Sequence, residues 1–204
     1  MRILAIETAT EACSVALFEN GALVGARHVE LGRGHAERLV PMIAELPGKG
    51  KADEIRVSLG PGSFTGVRIG LAAARSLGVA WNAGVRGFPT LALVAATARQ
   101  DHEGALDVCM NGGHGEWFVQ QFDANGLPVR PLASLPPPEA VGELTALHVA
   151  GNRADSFAAE AKREVVAINL LPDARYVLSL PSQLLLDELT PIYGRAPDAK
   201  LPAR

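Results

Sequence analysis

The chain has 204 residues, of which 48% are hydrophobic and 5% aromatic, with 19 Lys and Arg against 22 Asp and Glu. Such an apolar share at a net charge of −3 excludes a disordered chain. The acidic balance argues against a protein that grips nucleic acid by itself, because phosphate contacts need clustered Lys and Arg.

The length accommodates one large domain or two small ones, and the Ala, Val and Leu content suits helix-on-sheet layers. Arg2 to Ile6 and Ser14 to Phe18 read as short strands around a polar turn, Glu7 to Cys13. Asn20-Gly21 is a hairpin signal, so Ala22 to Glu30 should return antiparallel. In the next segment, His35 to Leu46, the residues His35, Leu39, Met42/Ile43 and Leu46 share one helical face. Pro41 should kink that helix or start a new segment. Asp53 to Leu59 looks like a strand, followed by a Gly/Pro-rich turn and a helix from about Val67 to Trp81. Thr90 is placed to cap a further helix, Leu91 to Arg99. After the polar stretch Gln100 to Gly104 a second β-rich set begins, with strands at Leu106 to Met110 and Glu116 to Phe122. A turn is expected at Asn125-Gly126, a loop at Pro136-Pro137-Pro138, and a strand at Leu147 to Gly151. The closing helices fall at Ser156 to Arg163 and Ser182 to Leu189. Strands then helices thus occur twice, which predicts two small α/β lobes, 1–99 and 100–204, with the last helix packing back on the first lobe.

Cys13 and Cys109 lie in apolar stretches without metal-ligand spacing, which reads as buried thiols in a reducing compartment. The apolar start Met1 to Ile6 is broken by Glu7 and Glu11, far short of a signal peptide. No stretch reaches the roughly 20 apolar residues of a membrane span, so a cytoplasmic protein is expected.

The most informative stretch is Gly60-Pro61-Gly62-Ser63-Phe64-Thr65-Gly66, a turn between a strand and a helix. It is not a P-loop: Gly66 comes one residue too late after Gly60, and no Lys-Ser/Thr pair follows. A tight structural turn is the main reading, and an anion site at the helix start the lesser one. Within the helix, Gly66, Gly70, Ala74 and Gly78 recur every fourth residue. Mid-helix Gly costs about 0.8–1 kcal/mol relative to Ala, so the stripe signals close packing. It faces either the protein's own sheet or a helix of another subunit.

These residues resemble the TsaB (YeaZ) family. The match lies in Arg2-Ile3-Leu4-Ala5-Ile6-Glu7-Thr8-Ala9-Thr10-Glu11-Ala12-Cys13-Ser14-Val15-Ala16-Leu17, in Gly34-His35-Ala36-Glu37-Arg38-Leu39-Val40-Pro41, and in the glycine block through Val67-Arg68-Ile69-Gly70. The ending Pro191-Ile192-Tyr193-Gly194-Arg195 looks like the family's closing Pro-x-Tyr-x-Arg. The resemblance covers residues 1–85 densely and the rest thinly. It implies an α/β fold of the actin/Hsp70/hexokinase (ASKHA) type, with two lobes of mixed sheet and helices. It also implies a non-catalytic, cofactor-free subunit that pairs with the catalytic TsaD-like protein and a TsaE-like ATPase. That assembly forms N6-threonylcarbamoyladenosine at position 37 of tRNA, so this chain would reach tRNA only indirectly and would form a homodimer when alone. The family's interface uses the first two helices, which here puts His35, Leu39, Met42, Ile43, Gly70, Ala74 and Gly78 at the contact and Arg68 and Arg75 at its rim.

Two departures stand out. The fold's usual first-strand Asp is Glu7, whose extra methylene would displace a Mg²⁺-organising carboxylate. Where the family commonly reads Asp-Ala-Arg-x-x-Glu-Val-Tyr, this chain has Asn111-Gly112-Gly113-His114-Gly115-Glu116-Trp117-Phe118, leaving Glu116 in a structural role. The rival readings, an ATP-dependent phosphotransferase of the same fold and a glycoprotease-like peptidase, are disfavoured. The first lacks Asp-type metal ligands. The second lacks a His-x-x-x-His pair among His28, His35, His102, His114 and His148, and a Gly-x-Ser-x-Gly elbow.

Overall fold

The computed structural model describes residues 1–195. The chain opens with β1 (Arg2–Glu7), β2 (Ala12–Glu19) and β3 (Ala22–Glu30), and Asn20 and Gly21 turn the β2–β3 hairpin at φ of 50° and 84°. Then follow α1 (His35–Ala44), β4 (Glu54–Ser58), α2 (Phe64–Trp81), β5 (Gly84–Phe88) and α3 (Thr90–Ala98). The second set is β6 (Leu106–Gly113), β7 (Glu116–Phe122), β8 (Ala133–Leu135), α4 (Pro137–Glu143), β9 (His148–Ala150), α5 (Ala154–Glu160) and β10 (Val166–Ile168).

The strands form two five-stranded sheets, ordered β3-β2-β1-β4-β5 and β10-β9-β6-β7-β8. In both, the first three strands are antiparallel and the last two join in parallel. The two lobes therefore share one topology without a visible sequence repeat.

Side-chain alternation along a strand sets the layers. Ile3 and Ala5 of β1 point into a core shared by both sheets, built on α3 with Phe88, Val108, Met110 and Phe122. Leu4 and Ile6, one residue out of phase, pack with Val15, Leu17, Val57 and the inner faces of α1 and α2. Cys109, Trp117, Val119 and Val149 do the same under α4 and α5 on the far side of the second sheet. The helix α3, buried on nearly every side, is sandwiched between the lobes.

Several expectations need correction. Pro41 does not start a new segment: it lies inside α1, which continues to Ala44, and the Glu45 N–H reaches the Pro41 carbonyl at 3.0 Å. Thr90 is the first residue of α3 rather than its cap, and its hydroxyl pairs with Ser58 Oγ at 2.6 Å. Pro136 to Pro138 do not form a loop. Pro137 and Pro138 open α4, since the first helical N–H groups have no intrahelical acceptor to lose. The helix expected over Ser182 to Leu189 is a 3₁₀ turn at Ser182–Leu184, followed by extended chain. There Leu186 and Gly87 exchange N–H···O bonds of 2.7 and 2.8 Å along β5.

Candidate interaction face and interlobe cleft

The helices α1 and α2 cover one side of the first sheet, and the structure assigns their residues to an inner and an outer face. On the inner face Leu39, Met42 and Ile43 are buried against Leu4, Val15 and Leu17, and Ala74 is equally enclosed. The small-residue stripe also points inward. A Cβ on Gly66 would collide with the Thr8 carbonyl, one on Gly70 with Thr8 Oγ1, and one on Gly78 would lie 2.6 Å from Val85 Cγ2. The Thr8 hydroxyl donates to the Gly66 carbonyl at 2.8 Å, tying β1's end to α2.

Leu39, Met42, Ile43, Gly70, Ala74 and Gly78, expected at a partner contact, bring the helices onto the protein's own sheet in this structure. His35 is also buried, its Nε2 lying 3.1 Å from the Ala12 carbonyl oxygen. Arg68 and Arg75 are exposed, but both also reach the chain's own C-terminal segment. Arg75 Nη2 donates to the Leu189 carbonyl at 2.8 Å, and Arg68 Nη2 lies 3.4 Å from the Tyr193 hydroxyl.

What faces outward from the same helices is a different set. Val40 is 57% exposed and Val79 87%, accompanied by exposed Pro41, Ala44, Ala72 and Ala80. These form a short-chained apolar patch flanked by the exposed Glu37, Arg38, Arg68, Arg75 and Ser76, and α2 carries no carboxylate along its 18 residues. A signal for it was present: α2 carries Ala72, Val79 and Ala80 away from the glycine stripe, more apolar residues than one buried face needs.

The glycine turn is where three segments meet. Ser63 caps α2, its hydroxyl accepting the Gly66 N–H at 3.2 Å. Its own N–H bonds the Ala9 carbonyl at 2.6 Å, and the Gly60 N–H bonds Ser58 Oγ at 3.3 Å. These are donors an anion cradle would use, and they are taken. A Cβ on Gly62 would strike the Ala9 carbonyl, and one on Gly60 would stand 2.8 Å from the Ile192 carbonyl oxygen.

Glu7, at the end of β1, is fully buried. One carboxylate oxygen accepts the Ala9 N–H at 2.5 Å, while Oε2 has no partner among the described residues. Burial pushes its pKa up to about 7, against the smaller opposing pull of hydrogen bonds from Ala9, Ser58 and Thr8. Enclosed in this way, it faces no cleft in which it could organise a metal. The thiols of Cys13 and Cys109 are raised by burial to about 11 and about 12, which leaves both inert at neutral pH. Among the described residues no group of three or more His, Cys, Asp or Glu side chains is placed to hold a metal ion. Nor is any described helix long and apolar enough to cross a membrane.

Between the lobes runs a cleft that the first lobe's Gly62–Arg68 segment shares with Gly112–His114 and Phe118 of the second. In an adjoining pocket, Glu11 accepts the Asn152 side-chain N–H at 2.7 Å. Arg195 donates to the Gly112 and Gly113 carbonyls at 3.2 and 3.0 Å and pairs with Glu116 at 3.2 Å, and Glu116 also accepts the Ser134 hydroxyl at 2.6 Å.

Comparison with known proteins agrees with this geometry. A family model described as TsaD: tRNA N6-adenosine threonylcarbamoyltransferase matches residues 29–129. The tRNA threonylcarbamoyladenosine biosynthesis protein TsaB of Escherichia coli is 39% identical over 136 residues, covering 62% of this chain and 58% of that protein. The chain thus spans somewhat over half the length of that curated relative in the matched stretch. YeaZ from Pseudomonas aeruginosa superposes with a TM-score of 0.79 at 27% identity, over 94% of this chain and 99% of that one. The ethanolamine utilization protein EutJ of Carboxydothermus hydrogenoformans, at 10% identity and a TM-score of 0.52 over 88% and 89% of the two chains, shares the fold alone. Two mixed sheets of one topology, helices on their outer sides and an actin-like neighbour make this an ASKHA-like α/β fold. With the YeaZ structure and the TsaB relatives beside it, the chain is similar to the TsaB/YeaZ proteins in sequence and in fold.

Proposed function

We propose that the chain serves tRNA N6-threonylcarbamoyladenosine formation as a non-catalytic cytoplasmic subunit that binds and activates a TsaD-like threonylcarbamoyltransferase. The observation that supports this most is the outer face of α1 and α2. Its apolar patch at Val40, Pro41, Ala72 and Val79 is left uncovered by the described residues, and it lies on helices whose inner residues already hold them to the sheet. A rigid apolar face of small side chains lets another helix pair approach closely and bury area without ordering long side chains. The described residues offer no competing catalytic set, since Glu7 and both cysteines are enclosed. A TsaE-like ATPase would join the pair, the same face would close a homodimer in the partner's absence, and the main grip on tRNA would belong to the partner.

The test is co-purification with a TsaD-like partner using Ala72→Glu and Val79→Glu, which place carboxylates on the outer face. Loss of the complex and of threonylcarbamoyl transfer with unchanged melting temperature is the expected result. An intact complex with either variant overturns the face assignment.

A further inference from the structure

The interlobe cleft carries an arrangement that the subunit role does not use. Phe64, the first residue of α2, is 55% exposed, and Tyr193 is 53% exposed. Their rings stack at 5.8 Å with 29° between planes, and the Arg68 guanidinium lies 3.6 Å from the Phe64 centroid. Aromatic residues are only 5% of this chain, so two of them stacked in solvent beside an arginine are out of keeping with the rest of its surface. They form one wall of an open cleft of about 700 Å³ that Gly112, Gly113, His114 and Phe118 close on the other side. The size is that of a small-molecule site. None of the described residues that line it is a carboxylate. Arg195 is paired with Glu116, whereas Arg68 has no acidic partner among the described residues, so the mouth is cationic.

The geometry points to a site for one unstacked nucleotide of a single-stranded RNA, its base lying on the Phe64–Tyr193 pair and its phosphate on Arg68. Exposed aromatics that offer a π-face, next to a guanidinium that follows the backbone, are how proteins hold unpaired bases without reading their sequence. A single contact of this kind is compatible with a net charge of −3, since it needs one free cation rather than a basic surface. The choice of RNA over a free nucleotide rests on the proposed role in tRNA modification; the site itself does not depend on a partner.

The measurement is fluorescence anisotropy of a labelled, unstructured RNA of about ten nucleotides with the full chain alone, repeated across salt concentrations. Saturable binding is expected, weakened about tenfold or more by Phe64→Ala and by Tyr193→Ala, and retained by Phe64→Tyr. Arg68→Gln should flatten the dependence of log affinity on log salt by about 0.7. Melting temperature controls for folding, and both rings are half in solvent, so their loss leaves the core intact. Absence of saturable binding by the native chain overturns the proposal, as does native affinity in Phe64→Ala. AMP competing as well as the RNA would overturn the assignment to RNA. If Phe64→Ala instead releases the TsaD-like partner and leaves RNA binding unchanged, the aromatic pair belongs to the protein interface. Because co-purification is read separately, failure here and failure of the subunit role are distinguishable.

Discussion

Replacing Gly70 by alanine tests the inward reading of the small-residue stripe through the sign of its effect. In an exposed helix interior this change stabilises by about 0.8–1 kcal/mol, because glycine is the poorer helix former. Here the new Cβ would collide with Thr8 Oγ1 and approach Val57 Cγ2 to 3.5 Å. Overpacking of a tight core costs about 1–3 kcal/mol. Displacing the Thr8 hydroxyl from the Gly66 carbonyl adds about 1 kcal/mol for a buried hydrogen bond. After subtracting the propensity gain, the net loss is about 1–3 kcal/mol, or roughly 2 to 12 °C in melting temperature for a chain of this length. Urea denaturation of the isolated chain measures it. A Gly70→Ala protein as stable as the parent, or more so, would refute the argument and return the stripe to the surface. Gly70→Leu is expected to fail in folding, so it cannot serve as a clean interface mutation.

Val40→Glu should leave melting temperature within about 1 °C of the parent and yet weaken co-purification with a TsaD-like partner, because only the outer face changes. Glu7 gives a pH prediction. Its folded pKa of about 7 lies above the ordinary glutamate value of 4.5, so the folded state binds the extra proton between those values. Its contribution is fully present below about pH 4.5 and is lost as pH rises through 7. Denaturation of Glu7→Gln against the parent should therefore show a relative gain for the variant that grows from pH 5 to pH 8, and a constant difference would contradict the burial argument. Asp173 is buried, accepts the Ser14 hydroxyl at 3.3 Å and the Arg175 N–H at 2.9 Å, and lies 3.5 Å from His28 Nδ1. Asp173→Ala should cost about 2–4 kcal/mol in chemical denaturation by leaving those groups unpaired.

The opening hairpin, α1, α2 and the change of composition after Arg99 could be read directly from the sequence, because local periodicity and turn chemistry specify them. The strands β5, β8 and β10 could not, since they are three to five residues long and owe their existence to neighbours distant in the chain. The segment Ser182 to Leu189 has a helical look, but its fate is decided by the open edge at Gly87, which no local pattern reveals. The candidate site was half legible. The glycine spacing at 66, 70 and 78 says that something comes close, while periodicity carries no information on what it is. Here it is Thr8 and Val85 of the same chain. The apolar residues left over on α2 mark the outer face, and only the inner face's contacts make that visible. The Phe64–Tyr193 pair joins residues remote in sequence and could emerge only from the folded chain.

The return of the C-terminal segment has a consequence in time. During synthesis, β1 to β5 and both outer helices leave the ribosome well before Leu186, Leu189 and Ile192. Until those arrive, the Gly87 edge, the Leu59 carbonyl and Arg75 stand without the partners they have in the finished protein; the Arg75–Leu189 contact spans 114 positions. An unpaired edge strand beside an apolar helix face is an invitation to pair with neighbouring nascent chains. Translation speed through the second lobe therefore sets how long that window stays open. Slowing it with rare codons should reduce soluble yield even though the encoded protein is unchanged.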